Sequence, residues 1–255
     1  MREINIIDGI IARFQENNYC EIYISNKIEY LELFYHNSFI DEFWRMPTEY
    51  DCLERCTCMS EFIQKYDIKN VKIIGGQNLK TTSNMFGRCI NIENIDLSSF
   101  DTSNVTDMFA MFANCWNLQK INFNNFNTSD VKNMKGMFYG CDTLETLDLS
   151  SFNTSKVTDM SEMFENCKKI KNINLSKFDT SNVVYLYEMF EECRSIEMID
   201  LSSFNMLNVI NTSSMFFGCS NLKKLILSDF DISKIKKHAD MFYGCKKLIN
   251  PLTKR

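Results

Sequence analysis

The residues most able to do chemistry in this sequence are its 11 cysteines. Thiols at such a density could form disulfides or bind a soft metal ion. An odd number of cysteines cannot pair completely within one chain, and a buried cysteine packs as a small apolar side chain. Seven of them recur every 26 residues: Cys89, Cys115, Cys141, Cys167, Cys193, Cys219 and Cys245. The spacing therefore predicts a repeated packing role for these seven thiols.

The remaining candidates for metal or catalytic chemistry form no recognisable site. Cys52, Cys56 and Cys58 lie close together, but a structural zinc site needs four ligands and no histidine is near. The two histidines, His36 and His238, have no neighbouring nucleophile, and no phosphate-binding loop or H-E-x-x-H motif is present. The sequence therefore predicts no cofactor, no metal and no catalytic residue.

One polar column follows the 26-residue period and is a candidate binding stripe. It consists of Asp96, Asn122, Asp148, Asn174 and Asp200. If these residues lie on adjacent strands, about 5 Å apart, aspartates alternate with asparagines along the stripe. Two interpretations remain open, a hydrogen-bonded polar ladder and a stripe that binds cations or a basic ligand.

Aromatic residues at outward positions are candidate contacts for a protein partner. They are Phe109, Trp116, Tyr139, Tyr185, Tyr187, Phe217 and Tyr243. The same columns carry Lys, Glu, Asp or Ser in other repeats. Single surface aromatics are normal in soluble proteins, whereas a contiguous group would indicate an interaction surface.

The elements that would position these residues follow from the rest of the repeat. A Met-Phe pair precedes each repeat cysteine, and columns of Ile or Leu, Phe and Val follow it. The step of two from Leu147 to Leu149 is strand spacing, whereas the steps of three from Val157 to Met163 fit a short helix. Turn-forming residues lie between them, at 150–156. The spacing therefore predicts that each unit consists of a strand, a turn and a short helix.

Stacking of such units predicts an α/β solenoid, a leucine-rich-repeat-like fold with one parallel sheet and an N-terminal α+β cap. We predict a cap at residues 1–66 and a solenoid at 67–255, whose rungs are the 26-residue units. The solenoid begins with a degenerate rung at 67–84, continues with repeats at 85–240 and ends with a partial rung at 241–255. Residues 1–66 could instead form a separate binding domain.

Within the cap, the spacing predicts a helix, a hairpin and a second helix. The first helix begins near Asp8 and contains residues 10–14, and the hairpin joins residues 20–25 to residues 28–34. The second helix is capped by Thr48 and carries Met59 and Ile63.

The repeat carries a family resemblance. The pattern Met-Phe-x-x-Cys-x-x-Leu-x-x-Leu-Asp-Leu-Ser, as in residues 137–150, closely resembles that of BspA-like leucine-rich-repeat surface proteins. The resemblance covers about residues 84–252. It implies a leucine-rich-repeat solenoid on a cell surface, with a role in adhesion or in binding proteins of host or neighbouring cells.

Composition restricts the remaining function classes. The net charge of −5 and the pI near 5.2 argue against nucleic-acid binding, and no segment is apolar enough to span a membrane. The sequence as written shows no signal peptide, which predicts a cytoplasmic location. If another export route exists, the family resemblance predicts the cell surface or secretion. We expect a non-catalytic scaffold for an unidentified protein partner, with a cation-binding solenoid or an enzyme as alternatives. The oligomeric state is left open.

Overall fold

A computed structural model describes residues 2–7, 10–14, 19–24, 59–65, 67–227 and 232–249, the first three ranges by their backbone alone. The elements are β1 (Arg2–Ile7), β2 (Ile10–Phe14), β3 (Tyr19–Ile24), α1 (Met59–Lys65), β4 (Asn70–Gly75), β5 (Asn94–Phe100), β6 (Lys120–Asn122), β7 (Thr146–Leu147), β8 (Asn172–Ile173), β9 (Met198–Leu201), β10 (Lys224–Leu227) and a 3₁₀ turn (Ile232–Lys234). From β4 onward the chain forms the predicted solenoid with a 26-residue period.

The solenoid strands pair in parallel and in the register that the repeat predicts. Ile95 lies beside Ile121, and Ile199 lies beside Leu225, each 26 residues further along the chain. The predicted single sheet is divided, however, into a six-stranded sheet from β1 to β6 and two pairs, β7–β8 and β9–β10. Strands of two or three residues supply too few ladder hydrogen bonds for one unbroken sheet, although the buried columns continue through every rung.

The outer segment of each rung differs from the prediction. The short helix expected there is wrong, and the chain instead forms tight turns that pair with the next rung. Met111 N–H bonds to Met108 O three residues back, but Phe112 N–H bonds to Met137 O in the following rung at 2.9 Å. Ala110 and Asn114 have left-handed backbone angles, with φ of 51° and 59°. An α-helix cannot continue through such residues, because its N–H groups would lose their intrahelical acceptors.

We call this outer structure the turn ladder. It comprises residues 82–88, 108–114, 134–140, 160–166, 186–192, 212–218 and 238–244. A line of parallel bridges runs beside it, from Thr81 to Asp107 and on to Lys237. Hydrogen bonds therefore join successive rungs on the outer side of the solenoid as well as in the sheet.

The core is a set of stacked columns between the sheet and the turn ladder. Phenylalanine rings from successive rungs stack face to face, with centroids 5.4–5.8 Å apart. The stacked rings are Phe86, Phe112, Phe138, Phe164, Phe190, Phe216 and Phe242. At the N-terminal end, Met59 and Ile63 of α1 are buried in the same core. Each rung thus covers the apolar side of the next, and Met59 and Ile63 of α1 belong to the same continuous core.

The N-terminal residues depart from the predicted cap. The helix expected near Asp8 is wrong, because residues 10–14 form β2, which pairs with β1 on one side and β3 on the other. Sheet pairing on both edges has overridden a helix-like spacing. Strand β3 in turn pairs in parallel with β4, so that Ile22 lies beside Ile73. The solenoid sheet therefore extends into residues before 67.

Some of the predictions for the cap concern residues that lie outside the described ranges. Helix α1 lies within the predicted second helix and contains Met59 and Ile63. Residues 28–34, Thr48, the Cys52 cluster and His36 lie outside the described residues, so the hairpin partner and the helix cap stay predictions, as does the division at residue 66. Across the described part of the chain, no helix is long and apolar enough to cross a bilayer.

Candidate functional site

The repeat cysteines from Cys115 to Cys245 hold successive rungs together. Cys115 Sγ donates to Phe86 O at 3.0 Å, and that carbonyl also accepts the N–H of Cys89. The five later cysteines make the same contact at 3.0–3.2 Å. Burial raises the pKa of Cys115 to about 12, so the thiol keeps the proton that it donates. The predicted packing role is confirmed, and the hydrogen bond is a further reason for cysteine that sequence reasoning missed.

The predicted binding stripe uses its oxygens to shape the chain. All five residues accept the backbone N–H two positions further on, at 2.9–3.1 Å. Asn122 Nδ2 also donates to Asp96 Oδ1 at 2.9 Å, which joins two rungs directly. Hydrogen bonds from the side chain and backbone of Ser150 lower the pKa of Asp148. Among the described residues, no three His, Cys, Asp or Glu side chains are grouped to hold a metal ion.

A buried threonine column, which sequence reasoning missed, makes a similar contact between rungs. Thr154 Oγ1 donates to Asp179 O at 2.9 Å and accepts from Asp179 N at 2.8 Å. Thr102, Thr128 and Thr180 repeat this exchange. Each hydroxyl thereby satisfies a carbonyl and an N–H of the next rung. The available signal was the Phe-x-Thr-Ser pattern, which recurs in four successive repeats and begins at Phe100, Phe126, Phe152 and Phe178.

The candidate aromatic contacts are only partly brought together. Trp116 and Tyr243 are well exposed, at 50% and 67%, and Tyr185 is also exposed. The rings of Phe217 and Tyr243, on neighbouring rungs, stack with centroids 5.1 Å apart. Phe109, Tyr139, Tyr187 and Phe217 are half-buried.

We call the outward side of the turn ladder the lateral face. One of its columns runs Tyr139, Glu165, Glu191, Phe217 and Tyr243, so aromatic residues lie at both ends of an acidic middle. A second column places Lys135 two rungs from Tyr187. The glutamates of this face were not predicted as site residues.

On this face, Lys135 contacts side chains of the two rungs that follow its own. Lys135 Nζ lies 3.0 Å from Glu162 Oε1 and 2.5 Å from the hydroxyl of Tyr187. Burial alone lowers the pKa of Lys135, but the hydrogen bonds to Tyr187 and Glu162 outweigh it and raise that pKa. Between Lys135 and Tyr187 in the column lies Ser161, whose buried hydroxyl finds no hydrogen-bond partner among the described residues. Lys135 neutralises only part of the acidic charge nearby.

The neighbouring glutamates perturb one another. Burial, followed by repulsion from Glu162, Glu188 and Glu191, raises the pKa of Glu165 to about 8. Burial and the adjacent carboxylates also raise the pKa of Glu191 to about 7 and shift that of Glu188 upward. These carboxyls therefore hold their protons more tightly than isolated glutamates do, and they repel one another when charged.

Comparison with known proteins assigns the family. A family model described as "Mycoplasma protein of unknown function, DUF285" matches residues 51–170 and 141–254 of this chain. The chain belongs to the DUF285 family. No curated protein matches this DUF285 member.

Three solved structures similar to this DUF285 protein are leucine-rich-repeat proteins, the class that its sequence resembles. The T. pallidum Leucine Rich Repeat protein (TpLRR) is 16% identical, with 97% of this chain and 91% of that chain covered and a TM-score of 0.47. A leucine-rich repeat protein from Bacteroides ovatus is 15% identical, with 96% and 81% covered and a TM-score of 0.32. A leucine rich cell surface protein from Faecalibacterium prausnitzii is 13% identical, with 97% and 81% covered and a TM-score of 0.27.

Within the described residues, the repeated polar groups of this DUF285 protein are engaged in structural contacts. Catalysis needs unlike groups that converge on one point, held within reach of a substrate. Here like groups repeat side by side, and the thiols, threonines and Asx side chains are occupied by backbone contacts. No catalytic family is indicated by the comparisons.

Proposed function

We propose that this DUF285 protein is a non-catalytic scaffold that binds a protein partner through its lateral face. The observation that carries the proposal is a contrast between two sets of columns. The phenylalanine and cysteine columns of the core, Phe86 to Phe242 and Cys89 to Cys245, keep one residue type in every rung, whereas on the lateral face tyrosine, glutamate and phenylalanine alternate on the same backbone. Such a surface varies its chemistry without altering its shape, as repeat proteins that bind other proteins do.

The chemistry of the lateral face indicates a partner with basic residues. Exposed aromatic rings supply anchors and cation–π surfaces, and the glutamates supply opposite charge. Adhesion to a protein of a host or neighbouring cell is the finer form of the proposal, and the resemblance to BspA-like surface proteins supports it. Location at the cell surface belongs to the same proposal.

Affinity capture with a matched variant tests the scaffold. The purified protein, immobilised, should retain a protein from extracts of host or neighbouring cells. The double variant Tyr139→Ala, Phe217→Ala should lose that protein, whereas Leu207→Ala, an exposed apolar change outside the lateral face, should retain it. Equal retention by both variants would exclude this face, and no retained protein in any extract would contradict the scaffold. Fractionation of the producing cells tests the surface location.

A further inference from the structure

One side of the solenoid consists of the segments that lead into the turn ladder, and we call it the connecting side. It comprises residues 103–107, 129–133, 155–159, 181–185, 207–211 and 233–237. In the first three of these segments every residue except a buried valine is polar, as in Ser155, Lys156, Thr158 and Asp159. These rungs therefore present an ordinary hydrated surface.

Two adjacent rungs of the connecting side carry apolar residues instead. Val184 and Ile210 occupy a column that holds threonine or lysine in the other rungs. Leu207 stands in a column of serines, and Tyr185 in a column that is otherwise polar. Leu207 is 84% exposed and Tyr185 is 39% exposed, whereas Val184 and Ile210 are half-buried. We call these four residues the apolar patch.

The apolar patch is contiguous and has a rung on either side. Ile210 N–H donates to Val184 O at 3.0 Å, and Tyr185 forms a parallel bridge with Asn211. The following rung is in place, because Lys237 N–H donates to Ile210 O at 3.1 Å. The exposure of the patch thus arises from its residue types and not from a missing neighbour. A contiguous exposed apolar group on a soluble protein indicates a surface that contacts another molecule.

Positive charge borders the apolar patch. Residues 181–185, 207–211 and 233–237 include three lysines and no acidic residue, although the chain as a whole has a net charge of −5. Lys236 and Lys237 are exposed. On the preceding rung, the carboxylate of Asp159 accepts the N–H of Ser161. The molecule that fits this patch is therefore both apolar and negatively charged.

The backbone of the patch offers nothing to a protein segment. The N–H groups of Val184, Ile210 and Lys237 already donate to carbonyls of the preceding rung at 2.9–3.1 Å. The side-chain amides of Asn182 and Asn208 are likewise bound to backbone carbonyls. Strand addition needs free backbone groups, so only apolar side chains and ammonium groups remain for contact. In a two-fold dimer through the patch, each copy would bring the same three lysines and no carboxylate from these segments.

We propose that the apolar patch docks this protein peripherally onto an anionic lipid surface. Leu207 and Ile210 enter the boundary between headgroups and acyl chains, and Tyr185 lies at the level of the headgroups. Lys236 and Lys237 contact the lipid phosphates. This inference goes beyond the scaffold proposed above, because it concerns the connecting side and needs no protein partner.

Sedimentation with lipid vesicles tests the proposal on the full chain. Vesicles of phosphatidylcholine mixed with phosphatidylglycerol are compared with vesicles of phosphatidylcholine alone. The protein should sediment with the mixed vesicles and bind the neutral ones at least about tenfold more weakly, because lysines near an anionic surface add attraction.

Other rungs of the repeat supply conservative variants. The double variant Leu207→Ser, Ile210→Thr installs residue types found in the same columns. It should bind the mixed vesicles at least about tenfold more weakly, because the apolar side chains that enter the lipid are lost. Lys236→Thr, Lys237→Asn follows the same rule and should lose a similar factor. Circular dichroism confirms that each variant is folded.

Two controls separate this patch from general charge and from the lateral face. Lys169→Ser, Lys224→Thr removes two exposed lysines outside the connecting side, again with residue types of the same columns, and should bind the mixed vesicles as wild type does. Tyr139→Ala, Phe217→Ala, on the lateral face, should also bind them unchanged. Failure of the lipid contact is thereby distinguished from failure of the scaffold.

Several results would overturn the proposal. They are absence of binding to the mixed vesicles, equal binding to neutral vesicles, and an equal loss of binding in the control that lacks two lysines elsewhere. Analytical ultracentrifugation supplies a further one. A dimer that dissociates when the leucine and isoleucine of the patch are replaced would show that a second copy covers the patch.

Discussion

Replacement of Glu165 by glutamine should stabilise the protein, and only at high pH. The Glu165 carboxyl is half-buried among other glutamates, and burial is the first cause of its pKa of about 8. Glutamine keeps the shape and the hydrogen bond with Asn166 but carries no charge. The variant therefore removes the repulsion with Glu162, Glu188 and Glu191 without opening a cavity.

The size of the effect follows from the difference between about 8 and the ordinary value of 4.5. Each tenfold change in proton affinity is about 1.4 kcal/mol, so the full difference would correspond to about 5 kcal/mol. Solvent screens a half-buried carboxyl, and we expect about 2 kcal/mol. Because the folded state binds this proton more tightly than the unfolded state, the contribution of Glu165 to stability is fully present below pH 4.5 and is lost as the pH rises through 8.

Urea unfolding of wild type and Glu165→Gln, followed by circular dichroism, measures the difference directly. At pH 3.5, below the ordinary pKa of a glutamate, the two free energies of unfolding should nearly agree, and at pH 8.5 the variant should be more stable by about 2 kcal/mol. Glu145→Gln is the matched control, since Glu145 is paired with Lys171, which lowers its pKa. It should give no gain at pH 8.5. A difference between wild type and Glu165→Gln that is constant with pH would refute the reasoning.

Three further changes probe the contacts between rungs. Thr154→Val leaves the N–H and carbonyl of Asp179 without partners and should cost about 1–3 kcal/mol in urea unfolding, whereas Ser155→Ala, at a half-buried neighbour, should cost much less. Gly140→Ala should destabilise by about 1 kcal/mol or more, because φ is +66° and the added Cβ would meet Asn114 Oδ1 at 2.6 Å; wild-type stability would contradict this contact. The six buried repeat thiols, from Cys89 to Cys219, should resist a thiol reagent in the folded protein and react on unfolding, and fast labelling of any of these six in the folded protein would contradict their burial.

The sequence predicts the parts of this fold that depend on which residues are apolar. The 26-residue period gives the strand register of Ile95 with Ile121 and the stacked phenylalanine core. It could not separate a short helix from a run of tight turns, since both bury residues three apart. The useful signal was one position of the turn ladder that holds Asn114, Gly140 and Gly218, residue types that tolerate positive φ. At residues 10–14 local spacing failed because pairing with β1 and β3 decides the structure.

The functional surface was less predictable because it depends on distances across rungs. The stripe from Asp96 to Asp200 has the residue types of a ligand site, yet its oxygens bind the backbone two residues on. The lateral glutamates lie 26 residues apart in sequence, and only the stack shows that Glu165 and Glu191 interact. Sequence periodicity places such residues in one column, but it does not give their burial.

The acidic lateral face costs folding stability, and this cost bears on its function. Glu165, Glu188 and Glu191 each have a raised pKa, which means that the folded state holds their charges less favourably than water does. Lys135 forms its ion pair with Glu162 and not with these three glutamates, so it does not directly neutralise their charges. Cations of a bound partner would lower these pKa values again, so binding to this face should release protons near pH 7.5. Calorimetry in buffers of different ionisation enthalpy measures that release, and a partner that binds the face without it would show that the glutamates take no part.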